Sequence, residues 1–264
     1  MTTVNCLVPV TRSVFALDLH THTRFFHGFP SRPTPFDPVG ARLLEAVAAR
    51  QSLDGVALTN HDYYTSRDFR EVVSIPGIEV STTEGHVLVV GPDPPTATNP
   101  GALDPETVTE LAHDNDCVAI IPHPFRNSTV RGVDAPFDAV EVNGKHPESK
   151  VWVKHIAADR DIPMVGGSDA HYPVEVGRAY TAVDADALTP ESVVEAIRDG
   201  RVEARISDWL PHEFVRRFYR RVHTWKGHRD TPEWLGEPGD GEEQPDRIPT
   251  GETPDTVVRK YLPV

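Results

Sequence analysis

The sequence has little cysteine and no long apolar run, and both shortages restrict the kinds of protein it can be. Two cysteines in 264 residues, Cys6 and Cys117, are too few for a disulfide framework, and no C-x-x-C pair indicates a redox site. No stretch approaches the roughly 18 consecutive apolar residues of a membrane span. The first ten residues also lack the basic and apolar regions of a secretory signal. We therefore expect a cytoplasmic protein without a transmembrane segment.

Lysine is scarce as well. Only five of the 26 basic residues are lysines, and 40 acidic residues give a formal net charge of −14. Because an acidic surface repels polyanions at long range, we expect no stable binding of duplex nucleic acid. Such a surface is typical of proteins from high-salt environments, but a GC-rich genome also favours arginine over lysine. Composition alone therefore does not identify the substrate.

The chain alternates between short apolar β-rich runs and helical segments. The predicted strands cover residues 14–18, 55–58, 74–78, 87–90, 118–121, 139–142, 163–165 and 179–183. A capping side chain precedes a proline at the predicted start of three helices, in Asp37-Pro38, Asp104-Pro105 and Thr189-Pro190, and a further helix is predicted over 148–160. This alternation predicts an α/β fold with a parallel sheet. Polar residues at the strand ends favour a closed barrel, with a site on that rim, over an open doubly wound sheet.

Composition divides the chain into three parts. Residues 14–206 form the predicted barrel. Residues 207–230 predict a basic amphipathic helix, with apolar side chains at helical spacing and four arginines between them. Three roles remain open for this helix: covering the barrel, binding nucleic acid or a phosphorylated substrate, or binding an anionic membrane surface. Residues 231–264 are acidic and rich in proline and glycine, so we expect this tail to be mostly disordered.

Two pairs of polar residues follow apolar strands at metal-ligand spacing. Strand side chains alternate between faces, so His20 and His22 point the same way, roughly 6.5 Å apart along the strand. Imidazoles placed in this way can share one metal ion. The same parity relates Asp169 to His171. A solvated strand end explains a lone H-x-H motif equally well, but two such pairs are much less expected by chance.

Five further residues at strand ends complete a candidate ligand set: His27, His61, Glu79, His86 and His123. A lone histidine at any of these positions is more often structural than a ligand. Seven of the 13 histidines, however, fall where a barrel enzyme builds its site. The nine residues together therefore predict a metal centre.

The motifs H-x-H-T, N-H-D, G-I-E, G-H, H-P and G-S-D-A-H occur here in this order. In that order they resemble the PHP (polymerase and histidinol phosphatase) superfamily, over about residues 14–206. The resemblance implies a distorted seven-stranded (β/α)7 barrel that binds up to three divalent ions. The superfamily includes histidinol phosphatases, nucleotide phosphatases, exoribonucleases and domains attached to DNA polymerases.

The resemblance also implies how the ligands divide among the ions. One ion would be held by His20, His22, Glu79 and Asp169, and Glu79 would bridge to a second ion held by His86 and His123. A third would be held by His27, His61 and His171; His27 stands where many relatives have an aspartate or histidine. A histidine-rich set with two carboxylates suits Zn²⁺, Mn²⁺ or Fe²⁺. We expect two to three divalent ions per chain.

Ions clustered in this way supply an activated water and neutralise phosphoryl oxygens. We expect hydrolysis of a phosphomonoester or phosphodiester, with a nucleotide, a short nucleic acid or a small phosphorylated metabolite as substrate. Arg126 and Arg178 follow the ligand loops and are candidate phosphate-binding residues, although surface ion pairs are an equally good interpretation of both. Two other functions remain open: amide hydrolysis on the same barrel, and a non-catalytic metal-binding module that binds a partner.

Other polar residues near the ligands are predicted to support them. Asp18, Asp62 and Glu141 are candidates for orienting ligand histidines. Asn143 and His146 follow a predicted strand, so we expect them to line the rim of the barrel.

Overall fold

The computed structural model describes residues 13–23, 37–126 and 128–208, together with the exposed helical positions Arg217, Arg221 and Trp225. His27, most of the predicted basic helix 207–230 and the whole of the predicted tail 231–264 lie outside the described residues. Within the described part of the chain, no helix is long and apolar enough to cross a membrane.

The described residues include nine strands and four α-helices. The strands are β1 (Ser13–Thr21), β2 (Gly55–Leu58), β3 (Val73–Thr82), β4 (Gly85–Val90), β5 (Val118–Ile121), β6 (Ala139–Asn143), β7 (Met164–Gly167), β8 (Ala179–Ala185) and β9 (Val202–Ile206). The helices are α1 (Pro38–Arg50), α2 (Pro105–Asp114), α3 (Lys150–Arg160) and α4 (Pro190–Arg198).

The predicted helix starts are confirmed by their capping hydrogen bonds. The Asp37 side chain accepts from two backbone amides of the first turn of α1. Asp104 and Thr189 do the same at α2 and α4, each accepting from one amide. In all three helices proline occupies the first turn, where its missing N–H group costs nothing.

The strands form one sheet in the order β7-β6-β5-β4-β3-β2-β1-β8-β9. Its two ends approach each other, since β7 packs against β1, β8 and β9. Thr181 Oγ1 on β8 also exchanges two 2.9 Å hydrogen bonds with the backbone of Gly166 on β7. The predicted α/β barrel is therefore confirmed as a nearly closed barrel, although it has nine strands where the resemblance implies seven.

The prediction of a parallel sheet is wrong in part, because four of the strand pairs are antiparallel. Strand β4 runs antiparallel to both β3 and β5, and β8 runs antiparallel to both β1 and β9. Only Thr83 and Glu84 separate β3 from β4. A two-residue connection can join antiparallel strands but is too short for a parallel crossover. Strand β9 was not predicted from the sequence, and several of its side chains remain partly exposed.

Strands near the middle of the sheet are buried on both faces. Every residue of β2, β4, β5 and β6 is buried, and most are apolar. Trp152 and Ile156 of α3 pack against Val140 and Val142 of β6 in the largest apolar cluster. Continuous apolar strands covered by helices are typical of such barrels. The strands therefore form a rigid support for the loops at their ends.

Candidate metal centre

Eight of the nine predicted ligands converge on one end of the barrel, and the ninth, His27, lies outside the described residues. Most of them lie at or just beyond the carboxyl end of a strand. His86 is instead the second residue of β4. Because β4 runs opposite to β3 and β5, its beginning lies at the same rim as their ends. Antiparallel pairing therefore brings His86 to the site.

The ligand atoms form four overlapping groups, and within each group they lie within 4.8 Å of one another. The groups are His20, Glu79 and His123; His20, His22 and Asp169; His61, Glu79 and His86; and His22, His61 and His171. Glu79 belongs to two groups, which fits the bridging role predicted for it. His61 groups with Glu79 and His86 as well as with His171. The geometry therefore does not assign His61 to the predicted third ion alone. The division of ligands among ions remains a prediction.

Glu79 is the centre of the cluster. Its Oε2 atom lies 3.2 Å from a ring nitrogen of each of His20, His22 and His61. Its Oε1 atom lies 2.8 Å from His86 Nδ1 and 3.0 Å from His123 Nε2. Burial raises the pKa of Glu79, but the surrounding histidines outweigh it and hold this pKa well below its usual range. A buried carboxylate thus faces five imidazoles.

Two imidazoles of the candidate ligand set, His123 and His171, are expected to be neutral. Burial, followed by the positive charge of Arg126, lowers the pKa of His123 to about 4. Burial and Lys145 lower the pKa of His171 well below its ordinary value. A neutral imidazole has one ring nitrogen with a lone pair, and that is the form that binds metal ions. The cluster is therefore arranged to present lone pairs as well as N–H groups.

One buried atom tests directly whether the residues fit a metal ion. Within the described part of the chain, Nε2 of His22 is buried and makes no hydrogen bond. It lies 3.2 Å from Glu79 and 3.5 Å from Asp169 without hydrogen-bonding geometry to either. Leaving a buried polar atom unsatisfied costs free energy, which coordination of a cation would offset. Imidazole nitrogens with two carboxylates suit a divalent transition ion, so the residues fit the predicted cofactor.

Asp169 links the imidazoles to two cations. Its Oδ1 atom lies 3.2 Å from His171 Nδ1 and 3.5 Å from His22 Nε2. Its Oδ2 atom accepts a short hydrogen bond from Arg126 and lies 2.9 Å from Lys145 Nζ. Burial raises the pKa of Asp169, but Arg126 and Lys145 outweigh it and hold the pKa well below its usual range. The carboxylate is therefore ionised and divides its two oxygens between different partners.

Two of the candidate ligands have left-handed backbone conformations. The φ angle is +28° at His123 and +52° at Asp169, and neither residue is glycine. Such conformations are strained and persist where the surrounding structure enforces them, often at functional sites. Both residues follow strands of the rim, so the strain lies in the loops that present the ligands.

The residues behind the ligands only partly follow the predictions. Glu141 contacts a ligand ring as predicted: its Oε1 atom lies 2.8 Å from His20 Nδ1, and its Oε2 atom accepts from the His123 amide at 2.7 Å. Asp18 instead accepts backbone amides, from Ser168 at 2.9 Å and Gly177 at 2.8 Å. Burial raises the pKa of Asp18 to about 6, against the opposing effect of these hydrogen bonds. Asp18 therefore fixes the loop that carries Asp169.

Asp62 also differs from its prediction. Its carboxylate accepts hydrogen bonds from the Ser81 amide and hydroxyl, at 2.9 and 2.7 Å, and from the Thr98 hydroxyl at 2.9 Å. It fixes the segment after His61 against the end of β3. Asp62 therefore positions the backbone, whereas the prediction was that it orients the ring of a ligand histidine.

The two predicted phosphate-binding arginines lie in different environments. Arg126 is at the rim, with 11% of its side chain exposed. Arg178 is fully buried, 3.1 Å from Glu175 Oε1, and donates to the Ser168 carbonyl. Glu175 in turn accepts from the His171 amide at 2.6 Å. Because Arg178 holds the Asp169–His171 loop from behind, its placement does not favour the predicted contact with phosphate.

Lys145 was missed from the sequence. It is buried, with Nζ 2.9 Å from Asp169 Oδ2 and 3.1 Å from His171 Nδ1. Burial lowers its pKa, while the carboxylate of Asp169 opposes that effect. A signal was present, because Lys145 follows Asn143 at the end of β6, between the two residues predicted to line the rim. Few lysines occur in the chain, which makes a buried one more informative.

Comparisons with known proteins bear on the fold and the family. A family model described as PHP-associated matches residues 153–202. A search of curated proteins gives no sequence match. PsfC from Pseudomonas syringae PB-5123 has a similar structure, with 17% identity, a TM-score of 0.60 and coverage of 79% of this chain and 98% of that one.

Two other structures are similar at comparable identity. A two-domain protein from Bacteroides vulgatus ATCC 8482, containing a predicted PHP-like metal-dependent phosphoesterase, is 20% identical with a TM-score of 0.51; the match covers 74% of this chain and 65% of that one. The lesion-specific endonuclease PfuEndoQ from Pyrococcus furiosus is 16% identical with a TM-score of 0.50, and the match covers 86% and 74%. At such identities the likeness establishes the fold alone. The family model matching residues 153–202 agrees with the predicted resemblance to the PHP superfamily, and the similar structures share the fold.

Proposed function

We propose that this protein is a metal-dependent phosphoester hydrolase. The observation that carries the proposal is the convergence of seven nitrogen- and carboxylate-bearing side chains around Glu79 at one rim of the barrel. Buried imidazoles and carboxylates at this density are costly unless cations satisfy them. The similarity to a predicted metal-dependent phosphoesterase and to an endonuclease supports the same class of reaction.

The chain's own residues define the roles in the reaction. Divalent ions, when bound, supply a water of lowered pKa and neutralise charge on phosphoryl oxygens. The imidazoles, Glu79 and Asp169 would hold them. Glu141 keeps the His20 ring in place through its 2.8 Å contact, and thereby fixes which ring nitrogen faces the cluster. Arg126, which contacts Asp169 at the rim, would donate to the oxygens of a phosphoryl group.

The substrate class is a phosphomonoester or phosphodiester of a nucleotide, a short nucleic acid or a small metabolite. A screen of mononucleotides, bisphosphorylated nucleotides, short RNAs and phosphorylated metabolites with Mn²⁺, Zn²⁺ or Fe²⁺ tests this. Aryl phosphate and aryl amide substrates should be included. Hydrolysis of phosphoesters supports the proposal, whereas hydrolysis of the amide alone would assign the barrel to amide chemistry. Absence of all turnover would favour a non-catalytic metal-binding module.

Metal content is the first quantitative prediction. We expect two to three divalent transition ions per chain, because the eight described candidate ligands form four overlapping groups that each offer three atoms. Elemental analysis of protein purified under metal-replete conditions measures this number. Less than one ion per chain would contradict the assignment.

Arg126 gives a second prediction. Arg126→Ala should reduce kcat/KM on the best phosphoester by about 2–4 kcal/mol of transition-state stabilisation, comparable to loss of an oxyanion donor. Arg126→Lys should restore part of the activity, since it retains the charge but loses the two-pronged donor. Steady-state kinetics and metal analysis of both variants provide the test. Wild-type kcat/KM in Arg126→Ala would exclude a phosphate contact.

A further inference from the structure

A buried arginine lies behind one of the candidate ligands. Arg131 belongs to the connection between β5 and β6, which carries His123 near its start, and it is buried. Its Nη1 atom donates short hydrogen bonds to the carbonyls of Pro124 and Ser128, and its guanidinium lies 5.1 Å from the centre of the Phe125 ring. A guanidinium presents its donors in a fixed planar arrangement. These contacts therefore hold the chain directly after His123.

The backbone of His123 needs support of this kind. Its φ angle is +28°, a value that is sterically unfavourable for any residue except glycine. The next residue is Pro124, and a following proline favours extended backbone in the residue before it. A backbone conformation that is strained in this way persists only where the surrounding structure enforces it.

Three hydrogen bonds hold this part of the backbone. The His123 amide donates to Glu141 Oε2 at 2.7 Å, and the His123 carbonyl accepts from the Arg126 amide at 3.0 Å. Pro124 has no N–H group, so its carbonyl is the one backbone group through which it can be held by a hydrogen bond. Arg131 donates to that carbonyl. It therefore holds the backbone on the carboxyl side of the strained residue.

We propose that Arg131 is a positioning residue of the metal centre, which keeps His123 in the strained conformation that presents its ring to Glu79. The inference rests on the metal centre of the proposed function, because it assigns a role to a residue behind one of the ligands. His123 Nε2 lies 3.0 Å from Glu79 Oε1, so relaxation of the His123 backbone would move the ring away from this carboxylate. Loss of Arg131 should therefore weaken binding of the ion that His123 holds more than binding of the others.

Arg160 offers a matched comparison, since it makes the same kinds of contact at the far end of this connection. It donates to the carbonyls of Arg131 and Val133, both at 2.7 Å, and its guanidinium lies 5.8 Å from the centre of the Phe137 ring. Replacing Arg160 therefore removes similar hydrogen bonds and a similar ring contact. It leaves the contact between Arg131 and the Pro124 carbonyl in place.

The test titrates metal-free, full-length protein with Mn²⁺ alone and measures the number and affinity of the bound ions by calorimetry. Arg131→Gln should lower the affinity of one ion by about tenfold to a hundredfold, the usual effect of changing a residue behind a metal ligand. Arg160→Gln should destabilise the fold but bind Mn²⁺ as the wild type does. Equal losses of affinity in the two variants, or wild-type affinity in Arg131→Gln, would overturn the proposal.

This measurement does not involve turnover, so it separates the inference from the proposed reaction. A wild type that binds Mn²⁺ but hydrolyses no phosphoester would contradict the proposed function and leave the comparison of variants valid. A wild type that binds no Mn²⁺ would overturn the metal centre and, with it, the role given to Arg131.

A double-mutant cycle then shows whether Arg131 acts through His123. In the His123→Ala background, Arg131→Gln should cause little further loss of Mn²⁺ affinity, because the ligand that it positions is already absent. The same loss in both backgrounds would contradict the proposal.

A second pair of variants serves if Arg131→Gln does not fold. Lysine keeps the charge and a donor but loses the planar arrangement of the guanidinium. Arg131→Lys should then bind Mn²⁺ more weakly than Arg160→Lys, and equal affinities in this pair would count against a positioning role.

Discussion

Glu79→Ala is expected to abolish measurable phosphoester hydrolysis, with a loss of roughly a thousandfold or more. The reason is its position, because both of its oxygens contact candidate ligand histidines and no other residue in the cluster contacts as many. Metal ions stabilise the charge of the transition state in such reactions by several kcal/mol. Each 1.36 kcal/mol of activation free energy corresponds to a tenfold change in rate. Removing the carboxylate at the centre should disturb more than one ion at once.

Two measurements separate this effect from unfolding. Bound metal should raise the melting temperature of the wild type, since a ligand of the folded state stabilises it by mass action. Glu79→Ala should have reduced metal content and a smaller melting-temperature increase on metal addition. Glu110→Ala, at an exposed position of α2, is the control and should behave as the wild type. Near-normal turnover with full metal content in Glu79→Ala would refute the central role given to this carboxylate.

Gly167→Ala is the second variant with a large expected effect, although residue 167 is not a candidate ligand. A Cβ atom at this position would lie 2.2 Å from Glu141 Oε1 and 2.6 Å from His20 Cβ. Glu141 cannot easily move away, because its other oxygen accepts hydrogen bonds from the His123 amide and the Asn143 side chain. The added methyl group would therefore push on both His20 and Glu141, the residue that orients the His20 ring.

We expect Gly167→Ala to lose about 1–3 kcal/mol of stability, as is usual when a packed site is overfilled. Metal affinity should fall by roughly tenfold to a hundredfold, the typical effect of disturbing residues behind a metal ligand. Chemical denaturation and metal titration measure the two quantities. Gly132→Ala is the control, since its added Cβ would meet no atom within 4 Å. If both variants bound metal equally well, the close packing behind His20 would not be important for the site.

The sequence was most informative where residues able to bind a metal ion also had the spacing that puts them on one face of a strand. His20 and His22 were predicted to share a face, and they occur in one ligand group. Asp169 and His171 were predicted to do the same, and Asp169 Oδ1 lies 3.2 Å from His171 Nδ1. Helix starts were also predictable, because the aspartate or threonine before each proline accepts hydrogen bonds from the first turn of its own helix. Local signals of this kind do not depend on the rest of the fold.

What could not be predicted depends on contacts between distant parts of the chain. Lys145 lies just after β6 and Arg178 just before β8, yet Arg178 turns inward to Glu175 while Lys145 turns to Asp169. Spacing along the sequence does not distinguish these outcomes. The antiparallel course of β4 was also missed, because the predicted strands 74–78 and 87–90 left eight residues between them, whereas only two separate β3 from β4 in the structure.

The central claim is tested most directly by titrating metal-free protein with Mn²⁺ and measuring phosphoester hydrolysis and bound ions in the same samples. A generic aryl phosphate, or the best substrate from the screen, serves as the reporter. We predict no turnover in the metal-free protein, turnover that rises as the second ion binds, and loss of turnover on chelation that is reversed by adding Mn²⁺ again. Protein that holds two or more ions and hydrolyses none of the phosphoesters would contradict the account.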